Sequence, residues 1–255
     1  MYSEEISNLS AAAVKKEKFF EKGKMKYIIS SALAGLYIGL AIVFIYTIGG
    51  MLYSAHSPAT KIVMGASFGV GLSLVLACGS ELFTSNTMIM PLGVLEKKVG
   101  WKSVFNICTY SYIGNFIGSI LVAGMFVGAG LAQGDTAAFI LKSAAAKMAP
   151  TFMQLFLRGI MCNILVCLAA WSYYKLKSET AKLIMIFWCL YAFITTGFEH
   201  SIANMTLLTI ALIIPHEANV SLNGWIHNLT AVTLGNFVGG AIFIGLAYWY
   251  ISKEK

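Results

Sequence analysis

Charge is scarce in this chain. Of 255 residues, 11% are charged and 58% are hydrophobic, and the mean hydropathy is +0.76. Soluble domains carry about 25% charged residues, so a soluble globule of this length is excluded. The apolar content excludes disorder, and five cysteines are too few for a disulfide scaffold. No Cys-x-x-Cys and no Cys–His spacing suits zinc, so neither metal nor cofactor is expected. Cys78, Cys108, Cys162, Cys167 and Cys189 all lie in apolar runs and read as buried free thiols acting as small hydrophobes. No short apolar region with a small-residue cleavage site follows the first basic stretch, so a cleavable signal peptide is not expected. What remains is an integral membrane protein.

Six apolar runs separate the charges: 27–53, 62–90, 103–134, 148–174, 183–215 and 218–252. A helix needs about 20 apolar residues to cross the hydrocarbon core, so each run supplies one crossing. Lys/Arg asymmetry sets the orientation. With the N-terminus inside, fourteen lysines face the cytoplasm, three (Lys61, Lys142, Lys147) face outward, and Arg158 lies within a span. Both termini are therefore expected in the cytoplasm. The net charge of +7 is then an inner-leaflet charge, and no nucleic-acid partner is implied.

The first 26 residues suggest a helix with Ser3 as N-cap, Glu4 and Glu5 in its first turn and lysines toward its end. Ile6, Leu9, Ala13 and Phe20 share one stripe, which predicts an amphipathic helix on the inner membrane surface rather than a solvated tail. Further on, the sequence repeats. Gly114-Asn-Phe-Ile-Gly118 returns 121 residues later as Gly235-Asn-Phe-Val-Gly239. Gly79-x-Glu81 followed by Asn86 returns 118 residues later as Gly197-x-Glu199 followed by Asn204. Two patterns in one order at nearly one offset indicate a duplicated three-span unit. Three is odd, so the second copy is inverted, an arrangement that builds pathways at the repeat interface through broken helices. The expected organisation is a cytoplasmic amphipathic helix over 1–26, repeats over 27–134 and 135–252, and a cytoplasmic tail over 253–255. The Gly-x-x-x-Gly pairs themselves read as close helix packing.

Glu81, Glu199 and His200 lie near mid-membrane, where an ionisable group costs at least about 2.5–3.5 kcal/mol and must face protein or a water-filled cavity. Each glutamate follows a glycine and precedes small polar residues, which predicts a helix break there. Each could cap the N–H groups freed by its break, or face an ion pathway. His200 occupies a central position where the copies differ, with Leu82 opposite, and could pass a hydrogen bond or a proton to an anion. Lys147 either draws anions to an outer vestibule or sits among headgroups; Arg158 either snorkels or pairs with a glutamate. Gly65-Ala-Ser67-Phe-Gly69 matches a hydrolase nucleophile elbow, but that motif needs a strand–turn–helix and Ser67 falls in an apolar helix.

Together Ala77–Asn86, Gly114–Gly118, Arg158–Asn163, Phe198–Asn204 and Gly235–Gly239 resemble the formate/nitrite transporter family across all six spans, and most of all its hydrosulfide-channel branch. The resemblance implies an all-α, aquaporin-like protomer with broken second and fifth helices, assembled as a homo-pentamer in a bacterial cytoplasmic membrane, with one pore per subunit. It implies a cytoplasmic constriction at Phe68 and Leu72, and a periplasmic one at Leu82 and Phe193. Thr84 and His200 would line the centre, within a polar shell of Lys147, Glu199, Asn163 and Asn204. A channel for small monovalent weak-acid anions is the function expected, with a proton-coupled carrier as the alternative on the same scaffold.

Overall fold

The structure, a computed structural model, describes residues 2–253; Glu254 and Lys255 of the expected tail lie outside the described residues. Helices dominate because the apolar runs must satisfy their own backbone in lipid. Five of them are long and apolar enough to span: α2 (Lys24–Ser54), α3 (Thr60–Ala77), α5 (Trp101–Gly128), α7 (Phe152–Lys175) and α8 (Glu179–Thr196). The sixth span, Leu222–Ser252, is α10 (Leu222–Val238), a π-helical turn (Gly239–Leu246) and α11 (Ala247–Ser252). The chain is a multi-pass membrane protein.

The second and fifth apolar runs are broken, as expected. α3 gives way at residues 78–82 to the short α4 (Phe83–Leu95), and α8 gives way at 197–200 to α9 (Ser201–Ile213). Both breaks divide the run into helices of 18 and 13 residues. Gly79 and Gly197 hold φ of +72° and +80°, which only glycine adopts at no steric cost. Phe83–Gly93 of α4 are all buried, so this half-helix runs through the bundle centre rather than along lipid.

Each repeat opens on a helix that does not span. α1 (Ser3–Lys22) precedes α2, and α6 (Gly134–Met148), a helix where only an outer segment is expected, precedes α7. The expected stripe of α1 exists, but Ile6, Leu9, Ala13 and Phe20 are buried against the protein and not laid on a membrane surface. Phe20 meets the Tyr27 and Tyr110 rings edge-on, at 5.6 and 4.8 Å. The N-cap is Tyr2, and Ser3 is already helical. The expected boundary at residue 27 falls inside α2, and that at 135 inside α6. Cys78 departs from the expectation of five buried thiols; it sits exposed at the end of α3, where the helix stops covering it.

Small residues set the helix spacing. A Cβ on Gly118 would overlap the Ala32 carbonyl of α2, and one on Gly35 would overlap the Asn115 carbonyl of α5. In the second copy Gly235 lies equally close to Phe156 of α7. Gly240, in the π-helical turn, abuts Thr87 and so lets α4 approach it. Gly118→Ala should therefore force α2 and α5 apart and lower stability by about 2–3 kcal/mol, the cost of overpacking a tight contact. Gly124, on the same helix with open space at its Cβ, should tolerate alanine. Thermal unfolding in detergent compares the two variants; equal midpoints would refute this packing role.

Candidate functional site

A helix broken inside a membrane frees backbone groups that must find partners. Two asparagines supply them in equivalent ways. Asn115 Oδ1 accepts from Phe83 N–H (2.9 Å), while its Nδ2 donates to the carbonyls of Glu81 (2.9 Å) and Ser31 (2.7 Å). Asn236 Oδ1 accepts from Ser201 N–H (2.9 Å), while its Nδ2 donates to the carbonyls of Glu199 (3.0 Å) and Gly159 (2.8 Å). These are the asparagines of the two Gly-Asn-Phe motifs, so that motif caps as well as packs. The expectation that the glutamates themselves cap is corrected: their carboxylates turn to lysines.

Glu199 is 2% exposed, and Lys147 Nζ donates to both its oxygens, at 2.9 and 3.0 Å. Asn204 Nδ2 adds a bond of 2.6 Å, and Asn228 ties Asn204 to the Lys147 carbonyl. Lys147 is thus a fixed partner in the last turn of α6, not a headgroup residue. The sequence reading missed the matching pair. Lys16 of α1 donates to both oxygens of Glu81 (2.9 and 2.7 Å), which also accepts from Tyr27 Oη (2.8 Å) and Asn86 Nδ2 (3.2 Å). The repeated Glu…Asn spacing marks Glu81 and Glu199 as equivalent, but nothing in it singles out Lys16 as the partner.

The half-helices meet head to head. Thr84, in the first turn of α4, lies 3.1 Å from Nε2 of His200, the N-cap of α9. Both helix N-termini, each with partial positive charge, converge at this contact. The histidine tautomer follows from its other nitrogen. Nδ1 accepts the Ala203 N–H (3.2 Å), so Nε2 carries the proton and donates to Thr84 Oγ1. The threonine hydroxyl hydrogen is then left for a further acceptor. Asn163 Nδ2 steadies Thr84 through its carbonyl (3.3 Å) and through Thr87 Oγ1 (2.8 Å). None of Lys147, Glu199, Asn163 and Asn204 bonds the His200 side chain; they hold the frame around it.

A cavity of about 220 Å³ on the α6 side is lined by Lys61, Lys147, Arg158, Phe193, Glu199 and His200 among others. A cavity of about 170 Å³ on the α1 side is lined by Lys16, Val75, Leu76, Glu81, Leu82 and Ser85 among others. Phe68 and Thr84 line neither; they fill the space between. Phe193 stacks on His200 with centroids 5.9 Å apart and meets Phe68 edge-on at 5.5 Å. The expected grouping of Leu82 with Phe193 is therefore corrected. Phe193 lines the α6-side cavity and packs on Phe68, whereas Leu82 lines the α1-side cavity, as does the end of α3 one turn beyond Leu72. α3 carries Phe68 and Leu72 one turn apart, both buried. Arg158 faces the α6-side cavity and has no carboxylate within 4 Å among the described residues, which sets aside both snorkelling and pairing. Ser67 lies in unbroken helix with its hydroxyl bonded to the Val63 carbonyl (2.9 Å), so no nucleophile elbow forms.

Removing one partner of a buried pair strands the other's charge, at about 3–5 kcal/mol. Lys147→Met should lower stability by that order, and Glu199→Gln in the same chain should recover most of it. Lys16→Met should cost less, because Glu81 is 12% exposed and keeps Tyr27 and Asn86. Unfolding midpoints in detergent measure the series; a Lys147→Met protein as stable as the parent would contradict it.

Comparison with known proteins bears on the whole of this arrangement. Residues 3–250 match the family model described as formate/nitrite transporter. The chain is 40% identical to the nitrite transporter NirC of Escherichia coli, over 100% of this chain and 94% of that protein. A solved FNT family ion channel superposes with a TM-score of 0.92 at 38% identity, covering 98% of this chain and 99% of that one. A pentameric formate channel with formate bound superposes with a TM-score of 0.80 at 32% identity, covering 91% and 98%. These relatives are transporters and channels, not enzymes. With its whole length matched by the family model and by these relatives, this chain belongs to the formate/nitrite transporter family.

Proposed function

We propose that the protein is a channel for small monovalent weak-acid anions, the class of nitrite, formate and hydrosulfide. It works as a homo-pentamer in a bacterial cytoplasmic membrane, with α1 and both termini in the cytoplasm. The relatives' substrates and the pentameric neighbour support the anion class and the assembly; the lysine asymmetry supports the orientation. Hydrosulfide rests on the branch that the sequence resembles most.

The observation that carries the mechanism is the Thr84–His200 bond between two apolar closures. A bare anion passing Phe68 and Phe193 would lose its hydration at a large cost. Desolvation disfavours the charged form of a weak acid, so the anion gains affinity for a proton as it leaves the aqueous cavity. Thr84 offers it a hydroxyl hydrogen at that point, while His200 fixes the hydroxyl's direction. Of a hydrogen bond and a proton from the histidine, the hydrogen bond fits the bonding pattern. A neutral imidazole with Nδ1 already bonded is a poor proton donor, and protonating Nδ1 would break the Ala203 cap. Passage as the neutral acid carries one proton with each anion, taken from the water of the cavity it leaves and returned to the water of the cavity it enters. A pH gradient then drives accumulation, and transport against a concentration gradient is what a proton-coupled carrier would also show.

The test is anion flux in proteoliposomes. Nitrite, formate and hydrosulfide should pass faster as pH falls, and chloride should not pass. Thr84→Val keeps the shape but loses the hydroxyl, and should reduce flux about ten- to a hundredfold, the worth of one hydrogen bond to a charged group. His200→Phe should reduce it as well. Unchanged rate and pH dependence in both variants would remove the central pair from the mechanism, and chloride flux equal to that of formate would refute the proposal.

A further inference from the structure

The α6-side cavity has more positive charge than its internal pairs consume. Lys147 is committed to Glu199, and together they are neutral. Two other cations line the same cavity: Lys61 in the first turn of α3, and Arg158 in the second turn of α7. Neither has a carboxylate within 4 Å among the described residues. Lys142, the remaining lysine of this end, is bound to the Tyr53 hydroxyl at 2.9 Å and lies outside the cavity, as do Asp135 and Glu217. The α6-side mouth therefore carries a net charge of +2, from Lys61 and Arg158 alone.

We infer that Lys61 and Arg158, rather than Lys147, capture the permeant anion at this mouth. A cleft lined by one sign of charge within low-dielectric walls focuses the field and raises the local anion concentration. An ammonium already saturated by a carboxylate contributes little to that field beyond a short-range dipole. Arg158 is half-buried on α7 five residues before Asn163, which steadies Thr84, so the same helix presents the anion and positions the centre. Its guanidinium stays charged at every working pH. Capture is therefore insensitive to pH, and the pH dependence of flux arises further in.

This inference rests on the channel reading, and wild-type anion flux tests that reading by itself. The capture step is tested by initial nitrite influx at low anion concentration, measured from 10 mM to high ionic strength, roughly a Debye length of 30 Å falling to 3 Å. Arg158→Gln and Lys61→Gln should each lower influx by about two- to fivefold at low salt, and the double variant should flatten its salt dependence. Arg158→Lys and Lys61→Arg should restore both, which loss of a merely structural contact would not. Lys61 is exposed, so its variants should fold whatever Arg158 does. Double-variant influx with the wild-type rate and salt dependence would overturn the inference, as would a charge-conserving variant no better than glutamine.

Discussion

An interrupted helix inside a membrane is tolerable only if the freed backbone groups are satisfied by protein, and this constraint organises the molecule. Asn115 and Asn236 meet it. Each reaches from the third span of its repeat to the break of the second, accepting from the first amide of the half-helix and donating to the carbonyl of the glutamate at the break. Because each amide also bonds a carbonyl of the first span, three helices are locked to one point. The glycine packing around these asparagines follows from the same need. Side chains that short reach two backbones only if the helices nearly touch.

The glutamates answer a second requirement. Asparagine takes the first amide of each half-helix, and the carboxylate at the break is held instead by a side-chain amide and a cation. α1 and α6 bring one each, and so two helices that do not span are tied to the two that are broken. The pairing leaves the inner frame electrically neutral. On the proposed channel reading, attraction for an anion comes from the half-helix ends and from cations outside the pairs, which separates the charges that hold the fold from those free to act on a solute.

Much of this was legible in the sequence for a definite reason. A glycine at positive φ, a glutamate in an apolar run and a Gly-Asn-Phe motif are local, and each recurs in order, so breaks and inversion could be read from residues such as Gly79 and Gly197. Contacts between distant segments could not. Lys16 and Glu81 are 65 residues apart, and nothing local distinguishes Lys16 from its lysine neighbours. The stripe of α1 showed that one face is buried but not by what, since protein and lipid demand the same side chains. α6 was hidden because its alanines and one phenylalanine resemble any loop skirting a membrane. Leu82 and Phe193 line different cavities, which could not be read because spacing along a helix does not say which neighbour each turn meets.

The two copies differ where it matters most. Leu82 and His200 are the N-caps of α4 and α9, with nearly the same backbone (φ −102°, ψ 126° and φ −110°, ψ 116°). Leucine makes no side-chain cap, whereas the histidine accepts an amide through Nδ1 and donates through Nε2. One backbone frame, used twice in opposite senses, thus presents an apolar wall from one side and a hydrogen-bonded threonine–histidine pair from the other. Had both caps been leucine, the centre would be as apolar as its closures. Had both been histidine, two imidazoles would compete for the space between the closures and for one threonine. The exchange of leucine for histidine at this cap, together with Thr84 where the second copy has Ile202, turns a near-symmetric frame into one with a single polar contact between apolar side chains, and on the proposed channel reading that contrast gives a weak acid reason to cross uncharged.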